Sequence, residues 1–188
     1  AVPPGRVLEI GCGTGLLFFR IAPHCAEYWG SDFSMKALSY VERHRGSVAE
    51  PPGGVTLRHR RADEFDGLEA ASFDTVIINS VVQYFPSVDY LTRVLGGAVS
   101  VVRDGGRVFV GDVRSLPLLR AFHASIAAHK AATSCPVLEL RKQVLDHIME
   151  EEELVLSPGF FAALRHSFPR ITHVEVRPKS GSYDNELS

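Results

Sequence analysis

Val7-Leu8-Glu9-Ile10-Gly11-Cys12-Gly13-Thr14-Gly15 is the stretch that decides the fold. Val7, Leu8 and Ile10 form a short apolar run suited to a buried strand. Gly11, Gly13 and Gly15 let the backbone turn tightly and approach a ligand with no Cβ in the way. Leu16 to Ile21 is apolar again and predicts the start of a buried helix, stopped at Pro23. Strand, glycine loop and helix in that order predict the nucleotide-binding opening of an α/β fold.

Spacing and charge then select among nucleotides. The dinucleotide fingerprint G-x-G-x-x-G needs glycine at position 16, where this chain has Leu16; its third glycine is Gly15. No Lys followed by Ser or Thr closes the loop, so the P-loop reading fails. Between Val7 and Phe19 the only ionisable side chains are Glu9 and Cys12. A carboxylate beside the loop repels a pyrophosphate and favours a cation. S-adenosylmethionine, which carries an ammonium and a sulfonium, meets that requirement. Val7–Gly15 thus resembles motif I of the class I S-adenosylmethionine-dependent methyltransferases. The resemblance implies that Glu9, Gly11, Cys12, Gly13 and Gly15 contribute to cofactor binding. Cys12 reads as a small residue filling the loop rather than a nucleophile.

The chain downstream is organised as that fold requires. Glu27 to Gly30 predicts a second strand ending in Ser31-Asp32. An acid about twenty residues after the glycine loop is where such folds hydrogen-bond a ribose diol, since one carboxylate can accept from both hydroxyls. Asp32 is the expected ribose ligand, with Phe33 packing on the adenine. The alternative is that Asp32 only caps the next helix, a task Ser34 could take. Met35 to Arg45 predicts a helix with Met35, Leu38 and Val41 along one side. Val55 to Arg60 predicts a third strand, and the run Arg58-His59-Arg60-Arg61 makes it a solvated edge. In the methyltransferases that the chain resembles, an acid or amide after this strand receives the adenine amino group. That implication falls on Asp63, with Glu64 beside it; the alternative is a surface loop carboxylate.

Phe73 to Asn79 predicts a fourth strand, buried on both faces at Val76-Ile77-Ile78. In a doubly wound sheet the ends of the first and fourth strands flank the topological switch point, where ligands bind. Asn79, Ser80, Gln83 and Tyr84 lie just past that end. Ser87 to Arg103 predicts a helix, terminated by Asp104-Gly105-Gly106, and Arg107 to Val113 a fifth strand with Asp112 and Arg114 at its ligand end. Pro117 to Ala132 predicts a helix with Leu118, Leu119, Phe122 and Ile126 inward, carrying His123 and His129. A second segment, Val137 to Met149, follows Pro136, and Ser157-Pro158 starts a helix to Phe168. Ile171 to Arg177 alternates and predicts a sixth strand.

The expected fold class is therefore α/β: a doubly wound, mostly parallel, Rossmann-like sheet with helices on both faces. A helical lid is inserted between strands five and six, and the final antiparallel strand is missing. One domain of 188 residues is expected, with a cofactor-binding core over 1–115, lid and last helix over 116–169, and sixth strand with a truncated motif over 170–188. Both ends look cut, which predicts a monomeric domain of a longer polypeptide. A formal net charge of -2 offers no electrostatic footprint for nucleic acid. No stretch is apolar enough to span a bilayer. Cys12, Cys25 and Cys135 are widely spaced with no C-x-x-C pair; this predicts no metal site, no disulfide framework and a reducing, cytoplasmic setting.

Three stretches narrow the resemblance: Asn79-Ser80-Val81-Val82-Gln83-Tyr84-Phe85-Pro86, Gly111-Asp112-Val113-Arg114-Ser115 and Asn185-Glu186-Leu187-Ser188. Together they resemble the methyltransferase domains embedded in nonribosomal peptide synthetases. The resemblance implies methylation of an aminoacyl or peptidyl group tethered to a carrier protein, at its α-nitrogen, with adjoining synthetase domains as neighbours and S-adenosylhomocysteine as product. Asn79 and Ser80 are expected at the cofactor, and Gln83, Tyr84 and Arg114 at the substrate. Tyr84, Asp112, Glu186 and His123 are the catalytic candidates, with Asn79 and Gln83 further choices to orient the amine. The rival readings are an O- or C-methyltransferase of natural-product biosynthesis, with His123 as the base that carbon methylation would need, and a catalytically silent scaffold that docks carrier proteins.

Overall fold

The computed structural model describes residues 5–131 and 134–179. Two compact units make up the chain, Ala1–Gly111 and Asp112–Ser188.

The first unit is built on β1, Arg6–Ile10. It pairs in parallel with β2, Glu27–Asp32, on one side and with β4, Phe73–Asn79, on the other. β3, Val55–His59, lies beyond β2, and β5, Val102–Gly111, beyond β4. The order is β3-β2-β1-β4-β5, with every neighbouring pair parallel. The chain reverses its direction of travel across the sheet between β3 and β4, so the C-terminal ends of β1 and β4 flank a switch point. The edge position of β3 accounts for its basic run.

Val7, Tyr28 and Ile77 from the sheet pack with Phe18, Ala22, Cys25 and Val41 into one buried cluster. Phe18 meets the Tyr28 ring edge-on at 5.2 Å. Such aromatic pairs add roughly 0.5–1.5 kcal/mol beyond the burial of their area.

Several boundaries differ from the sequence reading. The helix after the glycine loop, α1, is only Phe18–Ile21, and the chain passes into a 3-10 turn over Ala22–His24 with Pro23 near its start. Helix α2, Met35–His44, buries Leu38 and Val41 but leaves Met35 exposed. Helix α3, Val88–Val101, runs straight into β5 at Val102. The Asp104-Gly105-Gly106 turn is therefore inside β5 rather than before it. Pairing with β4 jumps there from Phe73↔Val102 to Thr75↔Arg107, and Gly105 has φ +74°. A bulge absorbs these extra residues, and glycine accepts the left-handed backbone that it needs.

The second unit holds a two-stranded parallel pair, β6 Arg114–Ser115 with β7 Val155–Leu156. Its helices are α4 Leu119–Lys130, α5 Val137–Met149 and α6 Pro158–Ser167. The buried residues of α4 are Leu119, as expected, with His123 and Ala127 in place of Phe122 and Ile126, and Leu118 is exposed. A histidine can be buried there because Glu151 meets its ring nitrogen. The sixth strand expected at Ile171 to Arg177 is not formed: residues 171–179 have no helix or strand. Val176 is half exposed, and without a buried face nothing fixes the register of a strand. Asn185–Ser188 lie outside the described residues. Among the described residues no helix is long and apolar enough to cross a membrane, and no group of three or more His, Cys, Asp or Glu could hold a metal ion.

Candidate active site

At the end of β1 the loop crosses onto β2. The Gly11 and Cys12 N–H groups both donate to the Ser31 carbonyl, at 2.8 and 3.0 Å. The Gly15 N–H then closes a turn on the Cys12 carbonyl at 2.9 Å. Gly11, Gly13 and Gly15 have φ of +75°, +53° and +89°. They are not equivalent. A Cβ on Gly11 would lie 2.4 Å from Val81 Cγ2, and one on Gly15 would lie 2.9 Å from the Phe19 ring. A Cβ on Gly13 would meet nothing within 4 Å. The first and third glycines are required by the protein's own packing, and the second opens onto free space.

Asp32 reaches into this loop. Its Oδ2 accepts from the Gly13 N–H at 2.8 Å and its Oδ1 from the Ser34 N–H at 2.8 Å. Ser34 is the N-cap of α2, its hydroxyl accepting from the Ala37 N–H. The capping task that could have explained Asp32 thus belongs to Ser34. Each Asp32 oxygen keeps a lone pair for a further donor. Phe33 beside it is 75 % exposed, an apolar ring held at the rim by its carbonyl's bond to His59 Nε2.

Glu9 is buried at 3 % exposure and accepts a hydrogen bond from the Tyr28 hydroxyl. Burial, and secondly the charge of Asp32, push its carboxyl up to about 8. Cys12 is free and buried, and burial with the nearby Glu9 and Asp32 raises its thiol far above the usual range. Its sulfur packs near Gly30, where an added Cβ would sit 3.2 Å away. It is a filler, as expected, and not a nucleophile.

The Glu9 shift has a consequence for stability. The folded protein keeps a proton that the unfolded chain releases near 4.5. Folding stability should therefore fall as pH rises from about 4.5 to about 8, then level off. Chemical denaturation of the ligand-free protein across that range checks this, with Glu9→Gln as reference. An identical pH slope in wild type and Glu9→Gln would refute it.

The other expected residues fall into three groups. Asp63 Oδ1 accepts from the Tyr90 hydroxyl at 2.9 Å and pairs with Arg61 at 3.3 Å, while Oδ2 lies 3.9 Å from Arg93. It ties its loop to α3 and keeps acceptor capacity on Oδ2. Glu64 caps the turn by accepting from the Arg61 N–H, and it lines a small hollow with His59, Arg60 and Asp66. Past β4, the Asn79 amide donates to the Ser80 hydroxyl at 2.9 Å, and Ser80 has φ +56°. A side chain in left-handed backbone costs about 1–2 kcal/mol, and such strain gathers at functional sites. Gln83 is buried and Tyr84 is 73 % exposed on the next turn.

The third group lies within the second unit and is committed to structural pairs there. Arg114 makes two contacts to Glu153 Oε2, at 2.8 and 2.6 Å, and lies over the Phe122 ring. His123 is buried with Nε2 3.1 Å from Glu151. Asp112 pairs with Lys179 at 2.9 Å. Glu186 lies outside the described residues. A concavity of about 590 Å³ in this unit, lined by Ala162, Arg165, His166, Pro169, Ile171 and Thr172, carries no carboxylate to hold a ribose and is not the nucleotide site.

A family model described as a methyltransferase domain matches residues 8–108, more than half of the chain. The chain belongs to the methyltransferase domain family. Over 185 residues this methyltransferase domain is 51% identical to chondramide synthase cmdD of Chondromyces crocatus, covering 98% of this chain and 5% of that protein. It is 46% identical over 187 residues to the probable non-canonical nonribosomal peptide synthetase CymA of Salinispora arenicola (strain CNS-205), covering 98% and 2%. The chain thus spans a small fraction of the length of these relatives. In fold it is similar to an S-adenosylmethionine-dependent methyltransferase of Clostridium acetobutylicum ATCC 824, with TM-score 0.52 and 24% identity over 61% of this chain and 45% of that one. It is similar also to the N-methyltransferase NodS of Bradyrhizobium japonicum WM9, with TM-score 0.51 and 18% identity over 76% and 71%. These likenesses establish the Rossmann-like fold.

S-adenosylmethionine is the family's methyl donor, and the residues present fit it. The loop leaves space at Gly13, Asp32 keeps acceptor lone pairs and Phe33 offers an exposed ring, while Glu9 lies beside the loop as a buried acid that keeps its proton up to about 8. No Lys or Arg stands in the loop to hold a phosphate instead.

Proposed function

We propose that this methyltransferase domain methylates the α-nitrogen of an aminoacyl or peptidyl thioester on a carrier protein. The observation that carries the reading is the match of 98% of the chain to segments of much longer synthetases, at 51% and 46% identity. Asp32 would hold the ribose, Phe33 the adenine face, Asp63 Oδ2 or Glu64 the adenine amino group, and the glycine loop the cationic end, with Glu9 giving up the proton it keeps in the ligand-free protein when that cation is opposite it. Asn79 and Ser80 close that side of the site. S-adenosylmethionine held by these residues would supply a methyl on a sulfonium, so that the amine's lone pair would form the N–C bond while the C–S pair stays on sulfur.

What remains for the chain's residues is placement. Holding two reactants in line can supply roughly 7–11 kcal/mol of barrier reduction. The amine loses its proton to water before attack, and no strong base is needed. This suits His123, which is engaged by Glu151, to a structural task. Tyr84 is the exposed candidate to meet the substrate. Unbroken hydrogen bonding from Asp32 to the loop favours a working donor site over a silent scaffold.

The test is mass spectrometry and NMR of products from the 188-residue protein, S-adenosylmethionine and N-acetylcysteamine thioesters of alanine, valine and phenylalanine. An N-methyl product is expected. An O- or C-methyl product, or S-adenosylmethionine binding with no transfer to any thioester, would overturn the proposal.

A further inference from the structure

Gln83 Oε1 is a buried acceptor with no hydrogen-bond partner among the described residues. The residue is 8 % exposed, between Val82 at 0 % and Tyr84 at 73 %. Native proteins rarely leave a buried polar atom unmet, because the desolvation penalty is then uncompensated. A buried orphan calls for an explanation, and its surroundings supply one.

Gln83 lies in the 3-10 turn Val82–Tyr84 that follows β4. The residue opening this turn, Val81, packs directly over Gly11, the first glycine of the loop. Two residues earlier in the chain than Val82 is Ser80, in left-handed backbone, whose N–H donates to the Gly111 carbonyl at the end of β5. The orphan acceptor therefore belongs to the turn after β4 at the switch point, two residues on from the side chain that packs over the loop. Asn79, at the end of the same strand, already donates to the Ser80 hydroxyl.

We infer that Gln83 Oε1 receives an N–H of the methyl-accepting amine and turns its lone pair toward the methyl; the inference rests on the N-methylation reading above. An amide oxygen suits this task. It accepts from a neutral amine, as a carboxylate would, but it does not hold an extra proton on the ammonium by its charge. A donor-side N–H, from the adenine amino group or the ammonium, would satisfy the same acceptor, so the test separates the two sources.

Gln83→Met removes the acceptor at similar volume, and Gln83→Glu keeps an oxygen in place. For Gln83→Met the expected results are S-adenosylmethionine affinity within about twofold of wild type by calorimetry and kcat/KM for the aminoacyl thioester lower by about tenfold. Its thermal midpoint should be unchanged or raised, because the orphan oxygen holds nothing in the ligand-free protein. Gln83→Glu should recover part of the rate at high pH and less at low pH, where its charge keeps a proton on the amine. A tenfold loss of S-adenosylmethionine affinity would assign the N–H to the donor and overturn the inference. So would an unchanged kcat/KM, or a fall in thermal midpoint of many degrees, which would mark Gln83 as structural. If wild type itself N-methylates no thioester, the function reading fails and this inference with it; if wild type is active and Gln83→Met equals it, only this inference fails.

Discussion

Asp32→Ala is expected to weaken S-adenosylmethionine binding by about 100-fold or more, since each hydrogen bond to a charged group contributes roughly 1.5–3 kcal/mol and two ribose hydroxyls are lost together. The substitution also releases the Gly13 N–H, which Asp32 Oδ2 holds at 2.8 Å, and with it the shape of the loop. A helix cap is not what fails, because Ser34 performs that role through the Ala37 N–H. Asp32→Asn separates these contributions. Its one acceptor oxygen can serve the ribose or the loop but not both, so an intermediate loss is expected. Removing the Asp32 charge should also lower the Glu9 carboxyl from about 8, because that charge is the second cause of its elevation. Calorimetric titration of S-adenosylmethionine measures the first effect. An affinity for Asp32→Ala within threefold of wild type would remove Asp32 from the site.

Gly11→Ala is expected to damage folding and binding together, whereas Gly13→Ala should damage binding with far less loss of stability. At Gly11 the left-handed backbone costs about 1–2 kcal/mol for any side chain. The new Cβ would also overlap Val81 Cγ2, 2.4 Å away, and overpacking of this kind costs typically about 1–3 kcal/mol. The sum, about 2–5 kcal/mol, is a large part of the roughly 5–15 kcal/mol that holds a domain folded. For a chain of this size it corresponds to a fall in thermal midpoint of about 4–20 °C. At Gly13 only the backbone cost applies, since its Cβ would meet nothing within 4 Å, and the midpoint should fall by about 2–6 °C. The free space there is nonetheless where a bound nucleotide would approach, so affinity should fall steeply. Adding Val81→Ala to Gly11→Ala should restore the steric part and leave the backbone part, a coupling that a double-mutant cycle reads directly. Equal loss of stability in the two single variants would show that Val81 does not limit Gly11.

The particular residues show which features a local reading can reach. Val7–Gly15 carries its own conformation: the strand run is adjacent to the glycines, and the glycines alone accept φ of +53° to +89°. Asp32 is found by its place after the second strand, and β4 by an apolar run of adjacent residues. Helix ends were less legible. The end of α3 depended on a bulge that is set by pairing with β4, and the start of α1 on how Gly15 packs against Phe19 and Val41. The inward side of α4 was read with Phe122 in place of His123 because His123 looks polar in isolation; its burial depends on Glu151, 28 residues away.

The amino-acid sequence by itself determined the α/β class, the glycine loop with its acidic rather than basic surroundings, and the place of Asp32 at the end of the second strand, because each rests on neighbours in the chain and on residue chemistry. Only the tertiary structure decided which polar groups are already engaged. Asp63 meets Tyr90 across 27 residues and Arg114 meets Glu153 across 39, so both are partly or wholly committed, while Gln83 Oε1 is buried with no hydrogen-bond partner among the described residues. The physical reason is that availability for chemistry depends on what else lies within hydrogen-bonding distance, and that is a property of the folded chain rather than of any one stretch of it.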